Sequence, residues 1–175
     1  MTSAILRNAR GTQSGSELVE FALLMPLLLL LVAGVWDFGS AFLMKDRMTN
    51  AAREGARVSV SVPVNSTDCQ GPMPCPLVAA ADEVRQYMTN AGHDATCIQP
   101  LQPQSYMAPA RVVYTCPSGI GLEIDRGTTI ASSSGPVSAT RVTLTFPLRW
   151  TLLAWLLGGV LPQTTTTTVT MQNLT

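Results

Sequence analysis

The apolar positions of this chain fall into one long block near the start and into short periodic patterns afterwards. Phe21 to Trp36 carries no charge, about 16 residues and roughly 24 Å at helical rise. Asp37 interrupts the block, and "FGSAFLM" then carries the apolar character to Met44, a combined length that can cross a hydrocarbon core of about 30 Å. The continuation "FLMKDRMTNAAREGARVSV" contains no proline. Phe42, Met48, Ala52 and Ala56 recur in it at spacings that share one helical face, with Asp46, Arg53 and Arg57 facing elsewhere. The pattern predicts one long helix from about Glu17 to about Val58, apolar in its first half and amphipathic in its second. Pro26 removes a backbone hydrogen bond inside it and predicts a kink or a loosened turn near Ala22 to Pro26.

Beyond Val62 the periodicity changes. "VPVNSTDCQGPMPCP" is dense in Pro, Gly and polar residues and predicts a loop. In "PLVAAADEVRQYMTNAG", Leu77, Ala81, Val84, Met88 and Ala91 alternate at helical spacing between Pro76 at the entry and Gly92 at the exit. The remainder predicts strands at "ATCIQ", "ARVVYTC", "GLEI", "ATRVTLTFPLRW" and "TTTTTVTMQNL". In "RVTLTF" the apolar Val142, Leu144 and Phe146 alternate with Thr143 and Thr145, the period of a half-buried antiparallel strand. The expected class is α+β: a long N-terminal transmembrane and amphipathic helix, then a small antiparallel-sheet domain with one further helix. "LRWTLLAWLLGGVLP" is a second apolar stretch, too short to span. It is either core, or an exposed loop holding Trp150 and Trp155 at the membrane interface or against another subunit.

At 175 residues the chain has room for one ordinary domain plus an anchor. Eleven basic residues balance eleven acidic ones, so no global field points to nucleic acid or to an acidic substrate. The four cysteines include no CxxC and stand apart from the single histidine, His93, which argues against a zinc site. Behind an export-type N-terminus they suggest an oxidising compartment and up to two disulfides. Four cysteines allow three pairings. Local pairing, Cys69 with Cys75 and Cys97 with Cys116, is the expected one, and the others stay open. His93 in "AGHDAT" has the setting of a solvated turn residue, and "SSSG" at 132–135 that of a loop rather than a nucleophile elbow. With no Gly-rich phosphate loop and no paired acids, the expectation is no catalysis, no cofactor, no metal and no small-molecule substrate.

The charges at the head of the apolar block point elsewhere. Arg7 and Arg10 precede it with no acid among residues 1–15, which favours a cytoplasmic N-terminus by the positive-inside rule. Glu17 and Glu20 then stand where a spanning helix begins, and a charge at the centre of such a helix costs about 3 kcal/mol or more on insertion scales. A cleaved secretory signal with small residues Val32, Ala33 and Gly34 near the cut would discard the anchor and expose the amphipathic half. Basic residues, Gly15, Glu20 five positions on and an apolar helix following resemble a class III, type IV-like prepilin. "ELVEFALLMPLLLLLVAGVWDFGSAF" followed by "MTNAAREGAR" resembles, more specifically, the TadE-like minor pilins (pseudopilins) of the Tad/Flp pilus system. The matching positions are Glu20, Phe21, Pro26, Asp37, Phe38, Gly39 and Asn50 to Arg57. The closing "VTLTFPLRW" and "TTTVTMQNL" fit that family loosely, and the middle of the chain does not help.

The resemblance implies a leader at 1–15, a cut by a membrane-embedded prepilin peptidase between Gly15 and Ser16, a helix at 16–60 and a periplasmic domain at 61–175. It implies that Glu20 docks against the Ser16 ammonium of a neighbouring subunit in the inner membrane. The partners would be other Tad/Flp pilus subunits and assembly proteins, in pilus assembly, adhesion or secretion. The alternative is an uncleaved, single-pass, membrane-anchored periplasmic scaffold or binding protein.

Overall fold

The computed structural model describes residues 13–64, 66, 69, 71, 73–107, 110–133, 135–154 and 159–173. Arg7, Arg10, Ser134 and Trp155 lie outside them. The described elements are α1 (Gln13–Ser61), α2 (Cys75–Asn90), β1 (Ser105–Met107), β2 (Arg111–Thr115), β3 (Gly121–Ser132), β4 (Gly135–Pro147) and β5 (Thr164–Gln172). The class is α+β.

Helix α1 is 49 residues long, about 74 Å at helical rise, and runs unbroken through Pro26. Its two halves have opposite environments. From Leu18 to Leu43 its large apolar side chains are exposed, Leu23 to 77%, and the helix is long and apolar enough to cross a membrane. From Met44 onward Met48, Ala51, Ala52, Gly55, Ala56 and Ser59 are buried, a repeat of three and four that makes one stripe. Phe42, expected on that stripe, is 69% exposed. The buried face runs through Asp37, Met44, Met48, Ala51 and Ala52, and Phe42 misses it because it stands about 200° round the helix from Met44.

Helix α2 begins with Pro76 in its first turn, where a missing N–H costs nothing. It ends with Gly92 at φ 85°, a left-handed position that glycine adopts without strain. Leu77, Ala80, Ala81, Val84 and Met88 make its buried face. The two helices cover one face of a five-stranded antiparallel sheet in the order β1-β2-β3-β4-β5. Val112 and Tyr114 of β2, Leu122 and Ile124 of β3, and Val142 and Leu144 of β4 point into the core beneath them. Register follows: Val112 lies opposite Ile124 and Tyr114 opposite Leu122, while Ile124 lies opposite Val142 and Leu122 opposite Leu144. The outer face carries Arg111 paired with Glu123 at 2.9 Å and hydroxyl pairs Thr143–Thr168 and Thr145–Thr166 at 3.3 Å. The threonine run is thus an edge strand of the sheet.

Two expectations need correction. "ATCIQ" is a turn, not a strand, because the Asp94 carboxylate accepts the Thr96 amide (3.1 Å) and hydroxyl (2.6 Å) and bends the chain there. Strand β4 stops at Pro147 instead of running to Trp150. The Leu148 amide still reaches the Gln163 carbonyl (2.8 Å), and the chain then leaves the sheet for the long connection to β5.

Candidate functional site: the spanning helix and its clasp

The positions expected at the head of the helix lie together in its first turns. Gly15, Ser16, Glu17 and Glu20 are all exposed. A side chain at Gly15 would meet nothing within 4 Å. Glu20 lies about 7.5 Å further along the axis at 1.5 Å per residue. Among the described residues no hydrogen bond or ion pair from this chain reaches it.

The second acid of the apolar block behaves differently. Asp37 is 1% exposed, although its neighbours Trp36 and Phe38 are open. The connection between β4 and β5 closes over it. Oδ1 accepts the Thr151 hydroxyl at 2.6 Å and the Thr151 amide at 3.3 Å. Oδ2 accepts the Leu152 amide at 2.9 Å and the Leu153 amide at 2.7 Å. Consecutive amides converge on one carboxylate as they do at the open end of a helix, and hydrogen bonds to an ionised acceptor are the strong kind. Beside this clasp the Phe38 and Trp150 rings meet edge to face at 5.5 Å, and Trp150 Nε1 donates to the Pro162 carbonyl at 2.7 Å. Leu153 is buried, and Leu152, Ala154 and Val160 are exposed.

Above the clasp a cleft of about 370 Å³ opens between α1, the end of α2 and the sheet, lined among others by Ser40, Met44, His93, Phe146 and Trp150. His93 meets the Phe146 ring edge to face at 5.0 Å, and its Nε2 is buried without a hydrogen-bond partner. Burial, and then the nearby Arg47 guanidinium, holds the imidazole pKa below its ordinary value. It is a packed ring at the cleft wall rather than the solvated turn residue expected. Among the described residues no group of three His, Cys, Asp or Glu side chains is placed to hold a metal ion.

Cys97 and Cys116 are joined by a disulfide with Cα atoms 5.5 Å apart. It ties the turn after α2 to the end of β2. Cys69 and Cys75 share one turn: the Cys69 amide donates to Cys75 Sγ at 3.0 Å, and that thiol lies 3.2 Å from the Ser66 carbonyl.

Gly55 was not singled out by sequence, yet it sets how closely the helices approach. A Cβ there would lie 2.5 Å from Val84 Cγ2 and 3.3 Å from the Ala80 carbonyl oxygen. With Ala51, Ala52 and Ala56 fully buried around it, α1 presents little side-chain bulk to α2 at the level of Gly55. The run of small residues at spacings of one, three and four was the available signal.

The features just described, an exposed span, a buried Asp37 and a stripe of small residues, all fall within one segment. Residues 15–57 match the family model for TadE-like protein. The likeness lies wholly within this helix. The matched segment begins at Gly15 and takes in the clasp acid and Gly55, while α2 and the sheet lie beyond it. No curated protein and no solved structure matches the chain.

Proposed function

We propose that this TadE-like chain is a minor pilin, or pseudopilin, of a Tad/Flp-type pilus. In this reading its N-terminus lies in the cytoplasm and its sheet domain in the periplasm. It serves assembly of the pilus and the adhesion or secretion that depends on it. The observation that supports the reading is a spanning helix, similar to TadE-like protein, whose large apolar side chains stay exposed from Leu18 to Trp36 and whose Glu20, at its head, is bonded to no described side chain of its own chain. A carboxylate at that depth is costly unless another molecule supplies its partner. The Gly15–Ser16 bond lies in the first turn of α1, where amides have no intrahelical acceptor and the backbone is easiest to unwind into a peptidase. Hydrolysis of that bond would free an ammonium on Ser16, one turn from Glu20 and able to meet the Glu20 carboxylate of an adjacent subunit. The helix dipole also favours the acid at this end. Neither a catalytic role nor a cofactor belongs to the reading.

The test is Glu20→Gln, which keeps the shape and removes the charge. The variant is expected to insert and to begin at Ser16 on N-terminal sequencing, yet to fail to co-purify with other pilus subunits. Wild-type association would remove the docking role. A native chain that still begins at Met1 in its own membrane would replace the pilin reading with an uncleaved anchored scaffold.

A further inference from the structure

We propose that the connection between β4 and β5 is a membrane foot. Clasped to α1 through Asp37, it lays Leu152 and Val160 on the outer boundary of the bilayer and fixes the height and tilt of the sheet domain. The proposal needs the membrane span only; it is independent of cleavage, of Glu20 and of the pilus.

The helix itself is the depth gauge. A hydrocarbon core of about 30 Å takes about 20 residues at 1.5 Å each. If the core begins between Leu18 and Phe21, its far boundary falls between about Phe38 and about Ala41. Asp37 is therefore at that boundary, and Lys45, the first cation beyond the apolar block, lies about 6 to 10 Å further out, at headgroup depth. Trp36, Phe38 and Phe42 fall within about 9 Å of one another along the helix around that boundary, and Trp150 joins them through its contact with Phe38. Aromatic side chains concentrate at this level of a membrane protein.

The foot cannot lie elsewhere while the clasp holds. Two amides and the Thr151 hydroxyl lie within 3 Å of the Asp37 oxygens, so Thr151 to Leu153 share the depth of Asp37. Leu152 is 52% exposed at that level, and Val160, 83% exposed, adjoins Leu161, which lines one cleft with Thr151 and Ala154. In water these apolar groups would gain nothing from exposure; against acyl chains each is buried as lipid transfer favours. The clasp also solves a problem that the span creates. An ionised acid at the hydrocarbon edge needs donors, and the loop supplies them from within the chain. Lipid is the favoured occupant over a protein partner because the loop surface is continuous with the exposed apolar surface of the span.

Spin labelling of the full chain in vesicles of phosphatidylethanolamine and phosphatidylglycerol tests this. Single cysteines carrying a nitroxide replace Val160, Leu28 as a lipid reference and Thr168 as an aqueous reference, each with Cys69→Ser and Cys75→Ser. The oxygen-to-nickel-chelate accessibility ratio at position 160 is expected several-fold above that at 168 and on the side of 28. Adding Asp37→Leu should return position 160 to the aqueous value and leave 28 unchanged. A ratio at 160 equal to that at 168 would overturn the foot, and so would shielding from both reagents, which would mean that another protein covers it. Should the label perturb folding, a chain with Trp36→Phe and Trp155→Phe reports through Trp150 alone. Quenching of Trp150 by bromine-labelled lipid supports the foot, and quenching by aqueous iodide alone rejects it.

Discussion

Adding one methyl group at Gly55 should damage this protein, although the same change in most helices improves them. On propensity alone, Gly→Ala within a helix gains about 1 kcal/mol. Here the new Cβ would stand 2.5 Å from Val84 Cγ2 and 3.3 Å from the Ala80 carbonyl oxygen. Carbon atoms pack at about 3.5 to 4.0 Å, so the overlap exceeds 1 Å. Val84 is fully buried on α2, and a helical valine has essentially one rotamer, so it cannot swing aside. Relief must come from moving the helices apart, and overpacking of that kind costs about 1 to 3 kcal/mol. The steric cost outweighs the propensity gain, leaving a net loss of about 1 kcal/mol and a melting temperature lower by about 3 to 5 °C for a domain of this size.

A second substitution isolates the cause. Val84→Ala alone removes two methyl groups from a closed site and should cost about 1.6 kcal/mol or more. Combined with Gly55→Ala, the added methyl occupies the space the valine leaves, so the double variant should lose less than the two losses added together, with a coupling of about 1 kcal/mol. Far-ultraviolet circular dichroism melts of the full chain in detergent measure all four proteins of the cycle. If Gly55→Ala raises the melting temperature, or if the two changes are merely additive, the close crossing of α1 and α2 is not what Gly55 serves.

Asp37→Ala should free the connection between β4 and β5, seen as faster proteolytic cutting within 148–163 and a red-shifted Trp150 emission, with α1 still inserted. Replacing Cys97 and Cys116 together by Ser opens a loop of sequence separation 19 and should lower domain stability by about 2 to 4 kcal/mol in denaturant titration. Because the folded chain holds the His93 pKa below 6.5, the unfolded chain binds the proton first as pH falls. Stability is then full above about 6.5, falls as pH drops toward the folded value and flattens below it. His93→Gln should remove that part of the slope in melts from neutral to mildly acid pH.

Much of this fold was legible because it is local. An uncharged block, a three-and-four repeat between Pro76 and Gly92, and a clean alternation in "RVTLTF" each report on neighbours within a turn or a pleat. What was not legible depends on residues far apart. Asp37 read as an interruption, since its donors at Thr151 to Leu153 lie more than a hundred positions away. "ATCIQ" carried β-branched and apolar residues but was decided by the Asp94 side chain, which offered the backbone a turn instead. Phe42 lies off the buried face because it stands about 200° round the helix from Met44, and which face is buried is set by tertiary contact. Strand β1, only three residues long and held to β2 by register alone, has no periodicity to detect.

The placement of small residues on α1 follows from what a single helix must do in two solvents. Its first half has to keep a full apolar circumference for lipid or for other helices, so nothing from its own chain can lie across it. Its second half must anchor a domain of more than a hundred residues without thickening the shaft. Glycine and alanine at 51, 52, 55 and 56 meet that need by letting α2 and the sheet settle against bare backbone, so that side-chain volume comes from Leu77, Val84 and Met88 of α2 instead. Between the halves the chain has to stop the domain from sliding or rocking along a uniform rod. A greasy contact would slip; a carboxylate that accepts consecutive amides and a hydroxyl has one geometry. Asp37 therefore sits where the two halves meet, and the same acid that would be a defect inside the span becomes the point at which the domain is registered against it.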